Sequence, residues 1–144
     1  MLDDYFKIED KISDCRWADV CYADDELEGH KLDIYLPDTG KSSHKVVVLI
    51  YGSAWFANNM KQFGYNALGK PLLDAGFAVI AINHRSSSDA AYPAQINDVK
   101  AAQLELSNIY LNGEFIERNT DKASYWQEQY EDTSANFANK IYGI

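Results

Sequence analysis

Residues 45–55, KVVVLIYGSAW, constrain the fold more than any other stretch of the chain. Lys45 leads into an unbroken apolar run from Val46 to Ile50, which stops on Tyr51-Gly52-Ser53-Ala54-Trp55. A short run rich in β-branched residues and bounded by turn residues is a strand, and the lack of polar alternation predicts burial on both of its faces. FAVIAI at 77–82 has the same character. Between the two, residues 60–74 predict a helix that stops at Ala75-Gly76, glycine being the natural terminator. Strand, helix and strand within about forty residues describe a parallel βαβ unit.

Upstream, residues 17–23 and 31–36 predict two strands joined by the polar turn DDELEGH, an antiparallel hairpin that leads the fold. In the second, Leu32, Ile34 and Leu36 alternate with Lys31, Asp33 and Tyr35, the period of a strand with one buried face. Residues 37–43 and 83–92 are loops by their turn residues. Pro93 suits the first turn of a helix whose Ile96, Val99, Ala102 and Leu106 share one face. Beyond it, Asn112-Gly113 between apolar residues predicts a small hairpin over 109–116, against the alternative of a helix-to-helix loop. Ser124 and Gln127 have capping-box spacing, with Trp126, Tyr130, Phe137 and Ile141 on one helical face after them.

A chain of 144 residues fits one domain, and its 47% hydrophobic content excludes disorder. The net charge of −9 is unevenly placed: residues 1–38 hold twelve Asp/Glu against four Lys/Arg, and the remainder is near balance. Such acidity is a solvated face or a docking surface for a basic partner. Without a basic stripe it argues against nucleic-acid binding. No apolar run is long enough to span a membrane, and the acidic first residues do not form a secretion signal. The expected location is therefore cytoplasmic, or secreted or periplasmic where a signal has been removed. Cys15 and Cys21 are ordinary as free thiols, with pairing across the hairpin as the alternative.

Most motifs fail on inspection. Residues 64–70, GYNALGK, have phosphate-loop spacing, but Pro71 stands where a magnesium-binding hydroxyl is required. His30, His44 and His84 are scattered without metal-ligand spacing, so neither a metal nor a cofactor is implied. The turn at 51–55 is different. Small residues just past a buried strand leave backbone N–H groups free to stabilise a developing oxyanion, although a plain tight turn has the same composition.

YGSAW, then FAVIAINHR, then AAYPAQINDVKAA together resemble the N-terminal half of an α/β-hydrolase of the esterase/lipase kind. The branch is the one with an HGGAW-type turn, similar to hormone-sensitive-lipase-like and feruloyl-esterase-like enzymes. KLDIYLP at 31–37 resembles that family's second strand, Asn83-His84-Arg85 its N-Y-R, and Pro93 with Asp98 its F-P-A…D-V-K-A-A helix start. The tail ANFANKIYGI is similar to the segment before the family's nucleophile strand. The resemblance implies a three-layer α/β fold, an N-terminal antiparallel hairpin followed by parallel βαβ strands. It would form one incomplete domain over 1–144, with 103–134 as an insertion or divergent segment. It implies carboxylic-ester hydrolysis, with Gly52, Ser53 and Ala54 forming the oxyanion hole, Ser53 and Ala54 as N–H donors, and Trp55 against the substrate.

The departures are Tyr51 for His, Ser53 for Gly, and the absence of any G-x-S-x-G, since no two of the eight glycines are four apart. The nucleophile, acid and base of the family follow that point in its chain order. The expectation is a chain that holds the oxyanion half and is inactive alone, its ester substrate engaged only once the site is completed. Without a nucleophile strand the sheet keeps an unpaired edge, placed at 77–82, open to a second chain or to self-association. Alternatives are a non-catalytic partner-binding module, and catalysis by Ser53 with His84 as base and Asp89 nearby.

Overall fold

A computed structural model describes residues 15–131, apart from 24, 42, 43, 113–117 and 129. Four strands form one sheet: β1 (Cys15–Cys21), β2 (Lys31–Tyr35), β3 (Val46–Ile50) and β4 (Ala78–Ile82), in the order β1-β2-β4-β3. β2 pairs antiparallel with both β1 and β4, whereas β3 and β4 run parallel. The leading hairpin and the parallel βαβ unit are thus both present. β1 starts two residues earlier than the sequence suggests and stops at Cys21, because the chain bends at Tyr22 and Ala23.

The crossover between β3 and β4 is helical from Lys61 to Asp74: α1 (Lys61–Gly64), a wider π turn (Tyr65–Gly69) and α2 (Lys70–Asp74). The glycine-rich 64–70 stretch therefore lies in helix, with no phosphate loop there. α3 (Ala94–Asn112) starts directly after Pro93. Helices flank both faces of the sheet, because alternate strand residues point to opposite sides. Leu32, Ile34, Ile80 and Ile82 pack with Ala102, Leu106 and Ile109 of α3. Tyr35, Val79 and Ala81 pack on the other face with Tyr65 and Leu73.

Strand order corrects two expectations. β4, paired on both sides, is buried throughout, so residues 77–82 are not an open edge. Among the described residues β1 and β3 are the outer strands, and β3 is half-buried and leaves Ile50 53% exposed, rather than the fully buried strand its composition predicts. An apolar run reports the surroundings a strand is suited to, not the neighbours it has.

Three further expectations fail for local reasons. α3 continues through Ile109 to Asn112, so the first arm of the predicted 109–116 hairpin is helix; residues 113–117 lie outside the described residues. The next helix, α4 (120–128 among the described residues), begins where the Asn119 side chain accepts the Lys122 amide at 2.9 Å; Ser124 lies inside it and is not its cap. α4 packs back on the core through Trp126, and Ser107 donates to the Ala123 carbonyl at 2.9 Å. Phe137, Ile141 and the ANFANKIYGI tail lie outside the described residues. Cys15 and Cys21 stand at opposite ends of β1, facing Tyr35 and Lys31 of β2, roughly 13 Å apart at the strand rise per residue. A disulfide between them is geometrically excluded, and Cys21 is a free thiol. Among the described residues, no helix is long and apolar enough to cross a membrane.

Candidate active site

The parallel pair β3/β4 ends on one edge of the sheet, where the turn 51–55 and the segment Asn83-His84-Arg85 meet. Crevices outside the carboxyl ends of parallel strands are the usual binding positions in α/β folds. Here a cavity of about 410 Å³ is lined by Gly52, Ser53, Ala54, Trp55 and His84, with α3 closing it through Ile96 and Val99.

The backbone of this turn has a feature that composition did not reveal. Ala54 and Trp55 both have positive φ, 49° and 68°. Each left-handed non-glycine residue costs about 1–2 kcal/mol, so two in succession require support from their surroundings. That support is visible. The Phe56 amide donates to the Ser53 carbonyl at 3.1 Å, and the Ser87 amide donates to the Trp55 carbonyl at 2.7 Å. The Ser53 hydroxyl donates to the Ala57 carbonyl at 3.2 Å and accepts the Ala57 amide at 3.3 Å. The Tyr51 hydroxyl donates to the same Ala57 carbonyl at 3.1 Å. Burial pushes the Tyr51 phenol above its ordinary pKa, keeping it a neutral donor.

Among the described residues, the amides of Gly52, Ser53 and Ala54 have no protein acceptor. They lie beyond the β3 ladder and beside the cavity. Gly52 itself needs no glycine: its φ is not positive, and a Cβ there would meet open space. Trp55 is 59% exposed, with its ring tilted against His84 at 6.2 Å.

His84 is buried and stacked on Tyr51, centroids 4.6 Å apart, and its Nδ1 donates to the Arg85 carbonyl at 3.0 Å. Among the described residues, no hydrogen bond joins Ser53 to His84. Asp89 does not reach His84 either. Its carboxylate accepts the Ser86 amide at 2.8 Å, the Ser86 hydroxyl at 2.7 Å and Asn58 at 2.7 Å. Those bonds, the Ser86 hydroxyl first, hold the Asp89 carboxyl below its ordinary pKa. With Ser87 on Trp55, they fasten loop 86–89 to the turn at 51–55.

The flanking polar residues are anchors. Asn83 is wholly buried; its Oδ1 accepts the Lys61 amide at 2.9 Å, and its Nδ2 donates to the Glu28 carbonyl at 3.0 Å. Asn83 thereby fixes where α1 begins. Asp98, also buried, accepts the Arg85 amide at 2.8 Å and the Arg85 guanidinium at 2.7 Å, and it faces His30 Nε2 at 3.2 Å. Arg85 and Asp98 therefore pin the β4–α3 connection beneath the cavity. The sequence marked both only through resemblance; their anchoring role follows from contacts far apart in the chain.

Comparison with known proteins agrees with this geometry. The BD-FAE family model matches residues 32–123. The chain is 26% identical over 102 residues to a kynurenine formamidase of Danio rerio, covering 66% of this chain and 33% of the relative. It is similar to a solved bifunctional GH43-CE protein of Bacteroides eggerthii, at 72% identity and TM-score 0.64, covering 70% of this chain and 14% of that one. It is also similar to a truncated form of a carbohydrate esterase from gut microbiota, at 52% identity and TM-score 0.66, covering 72% of this chain and 36% of that one. Esterase B of Lactobacillus rhamnosis shares the fold, at 23% identity and TM-score 0.59, covering 66% of this chain and 31% of that one. The chain spans about a third of the length of the curated relatives it matches. The sheet, the strained turn at the end of its parallel pair and the match over more than half of its length establish that this chain belongs to the BD-FAE family of α/β-hydrolase-like, esterase-type proteins.

Proposed function

We propose that residues 52–55 form the oxyanion-binding part of a carboxylic-ester hydrolase site, with the amides of Ser53 and Ala54 as donors. The observation that carries this reading is the pair of unpaired amides held beside a cavity by a strained backbone. An acyl carbonyl oxygen placed there gains charge when its carbon is attacked, and fixed donors stabilise that charge without reorganising. Esterases and a formamidase, the names borne by the relatives, share this acyl-transfer demand. The solved relative at 52% identity is named a carbohydrate esterase, so an ester on a sugar is the substrate class proposed here. Trp55, exposed at the mouth, would meet that substrate.

On the same reading the chain alone does not turn over ester. It has no G-x-S-x-G, and its Ser53 hydroxyl is engaged with Ala57 rather than with a base. On this reading residues 1–144 belong to one incomplete α/β-hydrolase-like domain, with 103–134 as an insertion or divergent segment.

Two measurements test this. A fluorophosphonate followed by intact-mass analysis should leave the chain unlabelled; a labelled serine overturns the claim that it lacks an activated nucleophile. In a chimera that replaces the matched region of the 52%-identical carbohydrate esterase with residues 32–112, Ser53→Pro deletes one donor, and Ser53→Gly keeps it. The loss expected for a single oxyanion donor is about 10²–10³ in kcat, with KM little changed. Full activity in Ser53→Pro sinks the assignment.

A further inference from the structure

We propose that Tyr51 and Ser53, the two positions at which this chain departs from the HGGAW-type turn, act as one clamp: their hydroxyls share the Ala57 carbonyl and hold the strained backbone of the turn. Tyr51 thereby acts as a positioning residue for the Ser53 and Ala54 amides. The clamp itself is independent of the oxyanion reading; its consequence for ester turnover rests on that reading.

The bonds close a ring across the turn. Ala57 offers both of its backbone groups to Ser53: its amide donates to the Ser53 hydroxyl oxygen at 3.3 Å, and its carbonyl accepts from that hydroxyl at 3.2 Å. The Tyr51 hydroxyl donates to the same carbonyl at 3.1 Å. Residues 51, 53 and 57 are thus tied together, with the left-handed Ala54 and Trp55 inside the tied segment. A carbonyl oxygen has two lone pairs, so it takes both hydroxyls at once. Among the described residues the Ala57 carbonyl accepts no other hydrogen bond.

Packing fixes the Tyr51 hydroxyl where the bond needs it. Tyr51 is buried, and its ring lies nearly parallel to that of His84, with 16° between the planes. α1 comes so close at Gly64 that a Cβ there would lie 3.2 Å from the Tyr51 Cβ. Burial also keeps the phenol protonated, and so a donor, at neutral pH. A side chain already held by packing loses little further rotamer freedom when it bonds.

The two hydroxyls back each other up. Removing the oxygen at 51 or at 53 leaves the Ala57 carbonyl one donor, and removing both leaves it none. One net hydrogen bond is worth about tenfold in an equilibrium, as is the penalty of one left-handed residue other than glycine. Losing both hydroxyls should therefore let Ala54 and Trp55 relax, whereas losing one should not. The HGGAW pattern has no hydroxyl at either place, so the clamp belongs to this chain's own sequence.

Tyr51→Phe and Ser53→Ala test this, since each deletes one oxygen and leaves the ring stacking and the backbone N–H groups intact. The amides of Phe56 and Ser87, which donate to the Ser53 and Trp55 carbonyls, report on the turn by NMR. Their exchange should accelerate less than about twofold in either single variant and about tenfold or more in the double, while the amides of buried β4 stay unmoved. The backbone chemical shifts of Ala54 and Trp55 should leave their left-handed values only in the double variant. In the chimera described above, the double variant should lower kcat about tenfold with KM little changed.

Exchange that is unchanged in the double variant, or that equals the product of the two single effects, overturns the shared clamp whatever the site does chemically. A loss spread over kcat and KM alike overturns the positioning role, since it marks general disorder of the site. A turn that loosens by NMR while the chimera keeps its full kcat overturns that role as well, and in this case the oxyanion reading fails with it.

Discussion

Replacing Lys61 by methionine should cost this small fold far more than its position at the surface end of α1 suggests. The Lys61 ammonium lies 2.8 Å from Asp33 and 2.7 Å from Asp19. The two carboxylates differ sharply: the Asp33 side chain is 1% exposed, the Asp19 side chain 58%. Exposed pairs contribute about 0–1 kcal/mol, so Asp19→Asn should fall below ~1 kcal/mol. Stranding a buried carboxylate costs about 3–5 kcal/mol. Asp33 keeps two donors, the Asp19 amide at 2.9 Å and the Tyr35 hydroxyl at 3.2 Å, which places Lys61→Met near the lower end, ~3 kcal/mol. Urea unfolding reads this as a midpoint lower by about 1–3 M at an unchanged slope. In an Asp33→Asn background no charge is stranded, and the same substitution should cost only ~1 kcal/mol. Burial works against the Lys61 ammonium, but its bonds to Asp19 and Asp33 outweigh it and raise its pKa above the ordinary lysine value. The contribution is therefore complete below the unfolded pKa of about 10.4 and is lost as pH rises through the folded value. The gap between wild type and variant should persist from neutral pH to about 10 and close above it. If Lys61→Met costs no more than Asp19→Asn, or costs the same in the Asp33→Asn background, the buried-pair argument is wrong.

Two other outcomes follow from local geometry. Asp89 has a depressed carboxyl pKa, so its clamp on Ser86 and Asn58 is present above the unfolded value near 3.9 and is lost as pH falls through the lower folded value; amide exchange at Ser86 should accelerate in that acid range, and Asp89→Asn should remove the pH dependence. Gly69→Ala would drive a Cβ onto the ring of Tyr65, which is buried and stacked on Tyr35 at 3.6 Å, so thermal unfolding should show a loss of about 1–3 kcal/mol, whereas Gly52→Ala meets open space and should leave stability almost unchanged.

The readable parts of this chain were those in which neighbours along the sequence decide the outcome. The apolar runs gave β3 and β4, Gly76 ended the crossover helix, and Pro93 opened α3; the alternation at Leu32 and Ile34 gave β2 as a strand but with one buried face, whereas Asp33 and Tyr35 on its other face are buried as well, Tyr35 under Tyr65 and Leu73. Strand order depends on which distant segment pairs with which, so local composition does not tell an inner strand from an outer one: VVVLI and FAVIAI have the same character, yet among the described residues only the second is enclosed on both sides. The Asn112-Gly113 signal was outweighed because Ile109 and Tyr110 continue the buried face of α3, and burial of that face outweighs a turn preference. At the site, the small residues of 51–55 marked a turn, but nothing in its composition marked which of its residues are left-handed. The left-handed residues are Ala54 and Trp55, held by Ser87 and Phe56. Side chains that ordinarily avoid this conformation occupy it where amides without a protein acceptor among the described residues lie beside a cavity. Backbone strain, rather than a glycine count, therefore singles out the turn for which oxyanion binding is proposed.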